Sequence, residues 1–377
     1  MNILIVSHEY PPTGGGGANA CMNLAAQFAD KGHKVTIVTA GFRSLPAYED
    51  AEGVVIHRVK CKRERAEHCS FSEMLDYLVK AWRMVKKLAC REHYDVCQVF
   101  FGVPSGVLGI RLKRKYRLPY AVRFGGGDIK GFQERFDKVF FFISPFVRKI
   151  WRAADALIAN SSGLKELAEQ FDARFPIEVI PNGVNAQNFY PAEQTNNASV
   201  FRILFVSRLL KRKGLQHIIP RLSELNAACT KGIRLTVVGD GPYREELERL
   251  AGETGCGGLI HFEGQKEKAE LLPYYQAADV MILPSAKEGM PNVVLEAMAC
   301  GLPIVMTPCQ GSRELIHDNG YVCGVEQFYD KLFELAQNEP LRKRFGENSR
   351  KLAESEFTWE SVAAQYLAVY ERIVRAE

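Results

Sequence analysis

Short apolar runs alternate with stretches of helical period along the whole chain. In the first half, Ile3–Val6, Val35–Val38, Val54–His57, Val96–Phe100, Tyr120–Arg123, Ala156–Ala159 and Glu178–Ile180 read as strands. Helical period falls near residues 17–31, 72–92, 104–116 and 162–171. The stretch Tyr190–Ser199 is polar and aperiodic, and reads as a linker. The alternation then restarts, with strands at Phe201–Val206, Arg234–Val238, Ile260–Phe262, Val280–Leu283 and Pro303–Met306. Strands that alternate with helices predict parallel sheets covered on both faces. The length of 377 residues exceeds what one core usually spans. The expected fold class is therefore α/β: two Rossmann-like domains, over residues 1–190 and 199–358, with a ligand cleft between them. The tail from Phe357 reads as an amphipathic helix over about 360–377 whose aromatics pack rather than act.

The polar residues that interrupt this pattern gather where strands end. Glu288 and Glu296 bracket Gly-Met-Pro-Asn-Val-Val-Leu. The first Glu falls in a strand-to-helix loop and the second about two turns into the helix, with Pro291 in the first turn. A helix start holds anions, and a carboxylate beside it accepts hydrogen bonds from hydroxyls. The pair thus suits a ligand carrying phosphate and sugar. In Ser207-Arg-Leu-Leu-Lys-Arg-Lys-Gly214, Arg208 offers a planar fork and Lys213 a point charge for phosphate, with Gly214 opening a helix. In Val238-Gly-Asp-Gly-Pro242, Gly239 and Asp240 mark a strand end where a ligand can approach the backbone. Gly14–Gly17 follow the first strand and suit a diphosphate. Taken singly, each piece also reads as an ordinary turn, a solvated basic loop or a surface acid.

Two familiar nucleotide sites are excluded. Gly15, Gly17 and Ala20 fit G-x-G-x-x-A, but His8–Thr13 separate them from the strand, and no acid follows the second strand until Glu49. No G-x-x-x-x-G-K-[ST] occurs, and no D-x-D that could hold a metal–diphosphate complex. A departing diphosphate must then be neutralised by Arg208, Lys213 and helix starts, with neither metal nor cofactor expected.

Charge adds a partner. Residues 1–190 carry 27 Lys and Arg against 19 Asp and Glu, a net +8 inside an overall +5. That half should meet something acidic, such as a membrane surface or a phosphorylated ligand. Lys80–Arg91 and Lys138–Arg152 mix aromatics with cations and read either as interfacial helices or as packed helices with a solvated face. The charge is too modest and too localised at strand ends for a nucleic-acid groove. No apolar run approaches a membrane span, no basic flank marks a signal peptide, and ten scattered cysteines lack metal spacing. The expected location is cytoplasmic, extending to the inner face of the cytoplasmic membrane.

The ordered set Tyr10-Pro-Pro…Gly-Gly, Asn182-Gly-Val, Ser207-Arg-Leu…Lys213-Gly, Val238-Gly-Asp-Gly-Pro, Ala278-Asp…Pro284-Ser…Glu288-Gly-Met-Pro-Asn…Glu296-Ala-Met-Ala-Cys-Gly-Leu-Pro303 and Phe357-Thr-Trp closely resembles glycosyltransferase family 4, the retaining nucleotide-sugar transferases. The resemblance implies a GT-B fold of two facing domains, the last helix crossing back to the first. It implies that Arg208 and Lys213 bind the donor diphosphate, Glu288 the sugar hydroxyls and Glu296 the ribose. It also implies that amides of Gly289, Met290, Asn292 and Val293 reach sugar and phosphates, that Gly264–Lys266, with Gln265, forms the base edge, and that Gly16 and Gly17 approach from the opposite domain. Many members carry a His in the first domain where this chain has Gly125, within Arg123-Phe-Gly-Gly-Gly-Asp128. Asp128 or Arg123 is the candidate to take over that role, with His8 a weaker one. The expected activity is transfer of a sugar from a nucleoside-diphosphate donor, UDP-sugar before GDP-mannose, to a saccharide or lipid-linked saccharide, in cell-surface polysaccharide or glycan synthesis. A non-catalytic sugar-nucleotide scaffold is the alternative.

Overall fold

The computed structural model describes residues 1–66, 69–132, 137–193 and 199–376, so residues 194–198 of the expected linker and residue 377 of the expected tail helix lie outside the described residues. The chain forms two compact units, Met1–Asn182 with Trp359–Glu377, and Gly183–Thr358.

The first unit holds eight strands: β1 Asn2–Val6, β2 Lys34–Ala40, β3 Tyr48–Ala51, β4 Val54–Val59, β5 Val96–Phe100, β6 Tyr120–Arg123, β7 Ala156–Ala159 and β8 Glu178–Val179. Their order is β3-β4-β2-β1-β5-β6-β7-β8. All neighbours are parallel except β3 on β4. Strand β3 escaped the sequence pattern for a physical reason. It is the polar edge of a hairpin, Tyr-Glu-Asp-Ala, turned by Glu52 and Gly53, both left-handed at φ 52° and 82°. The central strands read as unbroken apolar runs because helices bury them from both sides. On one face lie α2 Phe71–Ala89, α3 Gly106–Tyr116, α4 Asp137–Ala153 and α5 Ser162–Asp172. The other face is covered by α1 Gly16–Asp30 and the last helix of the chain, Trp359–Arg375.

The second unit holds β9 Val200–Val206, β10 Gly232–Val238, β11 Ile260–Gly264, β12 Val280–Leu283, β13 Ile304–Met306 and β14 Gly320–Val322, in the order β11-β10-β9-β12-β13-β14, all parallel. Its helices are α6 Leu222–Ala228, α7 Arg244–Glu253, α8 Leu272–Ala277, α9 Asn292–Ala299, α10 Ser312–Leu315, α11 Phe328–Gln337 and α12 Glu339–Ser355; the tail helix of the first unit is α13. Strand β14 was missed because Gly-Tyr-Val at a half-exposed edge carries no apolar run. In both sheets the first strand of the unit sits centrally. The next strand lies on one side of it and a later strand on the other, at β2-β1-β5 and β10-β9-β12. Chain order reverses there, so the loops leaving those strands diverge and open a crevice at their carboxyl ends.

The tail helix is a core element. Trp359, Tyr366 and Tyr370 are buried, and the Tyr370 hydroxyl donates to Gln98 Oε1 of β5 at 2.7 Å inside the sheet–helix layer. Gln98 is fully buried and its amide donates to the Val99 carbonyl. Tyr370→Phe leaves that Gln98 oxygen without its donor in a dry site, and we expect a loss of about 1–3 kcal/mol in urea unfolding.

Candidate functional site

The carboxyl edge of the second sheet is laced by loops from neighbouring strands. After β9 the chain runs through Arg208 to Lys213, and after β12 through Ser285 to Glu288. The Ala286 amide donates to the Arg212 carbonyl at 2.9 Å, and Arg212 Nη1 returns a bond to the Lys287 carbonyl at 3.2 Å. Gly214 has φ 79°, and a Cβ there would run into the Pro284 carbonyl. Only glycine permits this approach. Lys213 is thereby carried to Glu288, 75 positions away in sequence, and their side chains form an ion pair at 13% and 14% exposure. The same carboxylate oxygen accepts from Ser285 Oγ at 2.7 Å, and the Ser285 carbonyl is held by Thr307 Oγ1 at 2.6 Å. Ser285 went unnoticed as a site residue in the sequence; its place just after Pro284 at a strand end was the available signal.

Two local expectations are corrected. Gly214 opens a 3-10 turn, Leu215–His217, and not a regular helix. Pro220 lacks the amide that helix continuation needs, so the chain restarts there and α6 begins only at Leu222. Glu296 stands one turn into α9, not two, and Pro291 lies before the first turn. The Pro291 carbonyl accepts from the Val294 and Leu295 amides, which makes it the cap.

The other strand ends follow the same design. A Cβ on Gly239 would meet the Ser207 carbonyl, one on Gly241 the Leu209 carbonyl, and one on Gly311 the Gly289 carbonyl. Asp240 is exposed and pairs with Arg244 at 3.3 Å. At the end of β11, Gln265 is exposed and the Lys266 ammonium lies over the Tyr274 ring at 5.9 Å. Arg208 is exposed on this rim, with Gly289, Asn292 and Val293 half-buried and Met290 buried. Inside the edge, Glu296 is 6% exposed. Its Oε2 accepts from the Tyr275 hydroxyl at 2.9 Å, and its Oε1 lies 3.6 Å from Lys268 Nζ. Burial pushes this carboxyl above its ordinary range, while Lys268 and then Tyr275 pull it back. Neither Tyr275 nor Lys268 stood out in the sequence, because a helical Tyr and a surface Lys carry no spacing signal.

The first unit shows a different edge. Gly16 and Gly17 form the first turn of α1, capped by Gly15. Asp128 is 4% exposed, and its two oxygens accept from the Gly102 amide at 2.6 Å and the Gly125 amide at 2.8 Å. Burial raises its pKa and these amide bonds oppose the rise. It braces the loops after β5 and β6 against each other. Arg123 is also turned inward, bonded to Asn182 Oδ1 and lying over the Phe100 ring. His8 is buried edge-on to Phe101, with ring centroids 4.8 Å apart; burial, then the Arg63 charge, lowers its pKa to about 3 and keeps it neutral.

Phe101 explains Gly125. Its backbone is left-handed at φ 67°, a costly conformation for a bulky residue. Its ring fills the space into which side chains at Gly125 and Gly17 would point. No imidazole fits at position 125 beside this ring. Gly125→Ala should cost about 1–3 kcal/mol by overpacking. In a double-mutant cycle with Phe101→Ala the two losses should be strongly non-additive, since removing the ring removes the clash.

Comparison with known proteins agrees with this architecture. Residues 14–188 match the family described as Glycosyltransferase Family 4, and residues 187–352 match Glycosyl transferases group 1. An uncharacterized glycosyltransferase of Methanocaldococcus jannaschii is 26% identical over 383 residues, spanning 99% of each chain. The GDP-mannose-dependent alpha-(1-6)-phosphatidylinositol monomannoside mannosyltransferase of Mycobacterium tuberculosis is 25% identical over 391 residues, 96% of each. Sucrose-phosphate synthase from Thermosynechococcus elongatus shares the fold with a TM-score of 0.84 at 21% identity, over 100% of both chains. Two Rossmann-like units of this kind make a GT-B fold, and the chain belongs to glycosyltransferase family 4, group 1.

Proposed function

We propose that the chain transfers a sugar, with retention at the anomeric carbon, from a nucleoside-diphosphate sugar to a lipid-linked saccharide in the synthesis of a cell-surface polysaccharide or glycan. UDP-sugar is the favoured donor and GDP-mannose the second. The observation that carries the reading is the Lys213–Glu288 pair at the point where the second sheet reverses order. A cation and a carboxylate held side by side suit a ligand with a phosphate next to a polyol. When diphosphate takes Lys213 as its partner, Glu288 is released to accept from sugar hydroxyls. Arg208 and Lys213 then stabilise charge on the leaving diphosphate without a metal. On the same face of the sugar, the bond from C1 to the phosphate oxygen breaks, a bond from C1 to the acceptor oxygen forms, and the acceptor's proton passes to the phosphate. Glu296 receives the ribose, Gln265 and Lys266 border the base, and Gly239, Asp240 and the Gly289–Val293 segment line the donor. Asp128, Gly16 and Gly17 shape the first unit's edge, with Asp128 acting through the loops it braces.

The test begins with thermal shifts against UDP-, GDP- and ADP-sugars, since a bound donor raises Tm by mass action. With that donor, Lys213→Ala should lower kcat about 10²–10³-fold, as expected for a lost charge-stabilising donor. Full turnover by this variant would overturn the mechanism. A scaffold that binds but does not react would show the thermal shift without any hydrolysis of the donor.

Support for a membrane-bound acceptor comes from α2 and α4. Phe71, Leu75 and Val79 repeat at helical spacing on α2, and Phe141, Phe142 and Phe146 cluster on α4; these six are among nine large exposed apolar side chains of the described residues. Exposed Arg83, Lys86 and Lys87 accompany the first group, and Lys149 and Arg152 the second. Both helices bury their opposite faces in one core layer. Apolar side chains beside cations suit the surface of an anionic bilayer. No helix among the described residues is long and apolar enough to cross a membrane. The chain should sediment with anionic vesicles at low salt and be released at high salt, and Phe141→Ser with Phe142→Ser should weaken the binding. Absence of binding at low salt would sink this part of the reading.

A further inference from the structure

The two oxygens of Glu296 are not equivalent. Oε2 accepts from Tyr275, whose side chain has no exposure and whose ring is held edge-on by Phe189, at 5.7 Å and 83°. Phe189 is itself 2% exposed. A tyrosine buried to that degree needs an acceptor for its hydroxyl, so the bond is fixed from both ends. Oε1 instead lies by Lys268 Nζ, at 3.6 Å, on a side chain that is 44% exposed. The ammonium is long, solvated and replaceable, whereas the phenol is none of these. A ligand hydroxyl can take the place of Lys268 at Oε1 but cannot take the place of Tyr275 at Oε2.

We propose that Tyr275 is the positioning residue of the donor site: by occupying Oε2 it fixes the rotation of Glu296 and presents Oε1 as a single oriented acceptor for a ribose hydroxyl. The inference rests on the nucleotide-sugar reading above and deepens it by assigning the residue that sets selection of ribonucleotides over deoxyribonucleotides. A freely rotating carboxylate would bind the same hydroxyl with less orientation. A fixed one couples the Tyr275 hydroxyl to the ribose hydroxyl through one carboxylate.

The test is a set of dissociation constants for UDP and its 2′- and 3′-deoxy forms, with GDP and its deoxy forms used where GDP is the nucleotide that binds. Wild type should prefer the ribonucleotide about tenfold over at least one deoxy form, as for one hydrogen bond to a charged group. Tyr275→Phe should weaken the ribonucleotide about tenfold, leave the deoxy form nearly unchanged and reduce the preference below about threefold. Phe189→Leu loosens the same packing but keeps the hydroxyl; it should lower Tm and retain the preference. Glu296→Gln should lose the preference, and it carries the test if Tyr275→Phe does not fold. The proposal is overturned if Tyr275→Phe keeps the tenfold preference, if Phe189→Leu loses it equally, or if Glu296→Gln retains it. Wild type that binds neither UDP nor GDP would overturn the nucleotide-sugar reading itself, a different result from any of these.

Discussion

Backbone crossing backbone at four glycines is the constraint on which the second unit's edge depends. At Gly214, Gly239, Gly241 and Gly311, a Cβ would lie closer to a neighbouring carbonyl than side-chain carbons come in folded proteins. These contacts join the loops after β9, β10, β12 and β13 into one layer. Without the crossing at Gly214, the loop carrying Lys213 would stand off from the loop carrying Glu288, and the ion pair between them would open. Parallel sheets wrapped by helices leave few places where polar chemistry can reach solvent. This edge is such a place, and the glycines make it dense rather than floppy.

The repeating alternation of apolar runs and helical period was enough to find most strands within a residue or two, because both faces of each sheet are covered and its strands cannot disguise themselves as amphipathic. The strands that escaped, β3 and β14, are edge strands with little apolar burial. Register and order came only with the structure, since β9 meets β12 across a gap of about eighty residues that no local pattern encodes. The helix starts of the first unit were legible to within a turn, whereas the helix expected from Gly214 begins as a 3-10 turn and α6 starts only at Leu222. The shift of α9 past Pro291 leaves Glu296 one turn into the helix instead of about two, because a carbonyl at the cap decides where a helix begins.

Site residues divide along the same line. Lys213 and Glu288 could be named from sequence because each precedes a glycine in a loop after a strand; Arg208 and Glu296 could be named because they fall within a few residues of those loops. Their partners could not. Ser285, Tyr275 and Lys268 are ordinary residues until the fold places each within reach of a carboxylate. Gly125 shows the reverse case. In the sequence it is a missing histidine; in the structure it is the room required by the Phe101 ring, whose left-handed backbone no motif announces. The acid three residues on, Asp128, then acquires its reason. Loops that yield space to an aromatic ring need another tie, and two backbone amides on one buried carboxylate supply it.

The two acids of the second unit meet opposite electrostatic problems, and this separates their roles more firmly than their spacing does. Glu288 shares its site with a cation of matching burial, and each neutralises the other. An arriving anion can compete for Lys213, and the competition itself exposes an acceptor for hydroxyls. Glu296 lies deeper, where burial opposes its charge, and its compensating cation is a surface lysine. A neutral hydroxyl can approach it without bringing another charge into the interior. Under the function proposed above, phosphate and reacting sugar are assigned to the first acid and ribose to the second, because a charged group suits the acid that already has an exchangeable cation and a neutral hydroxyl suits the buried one.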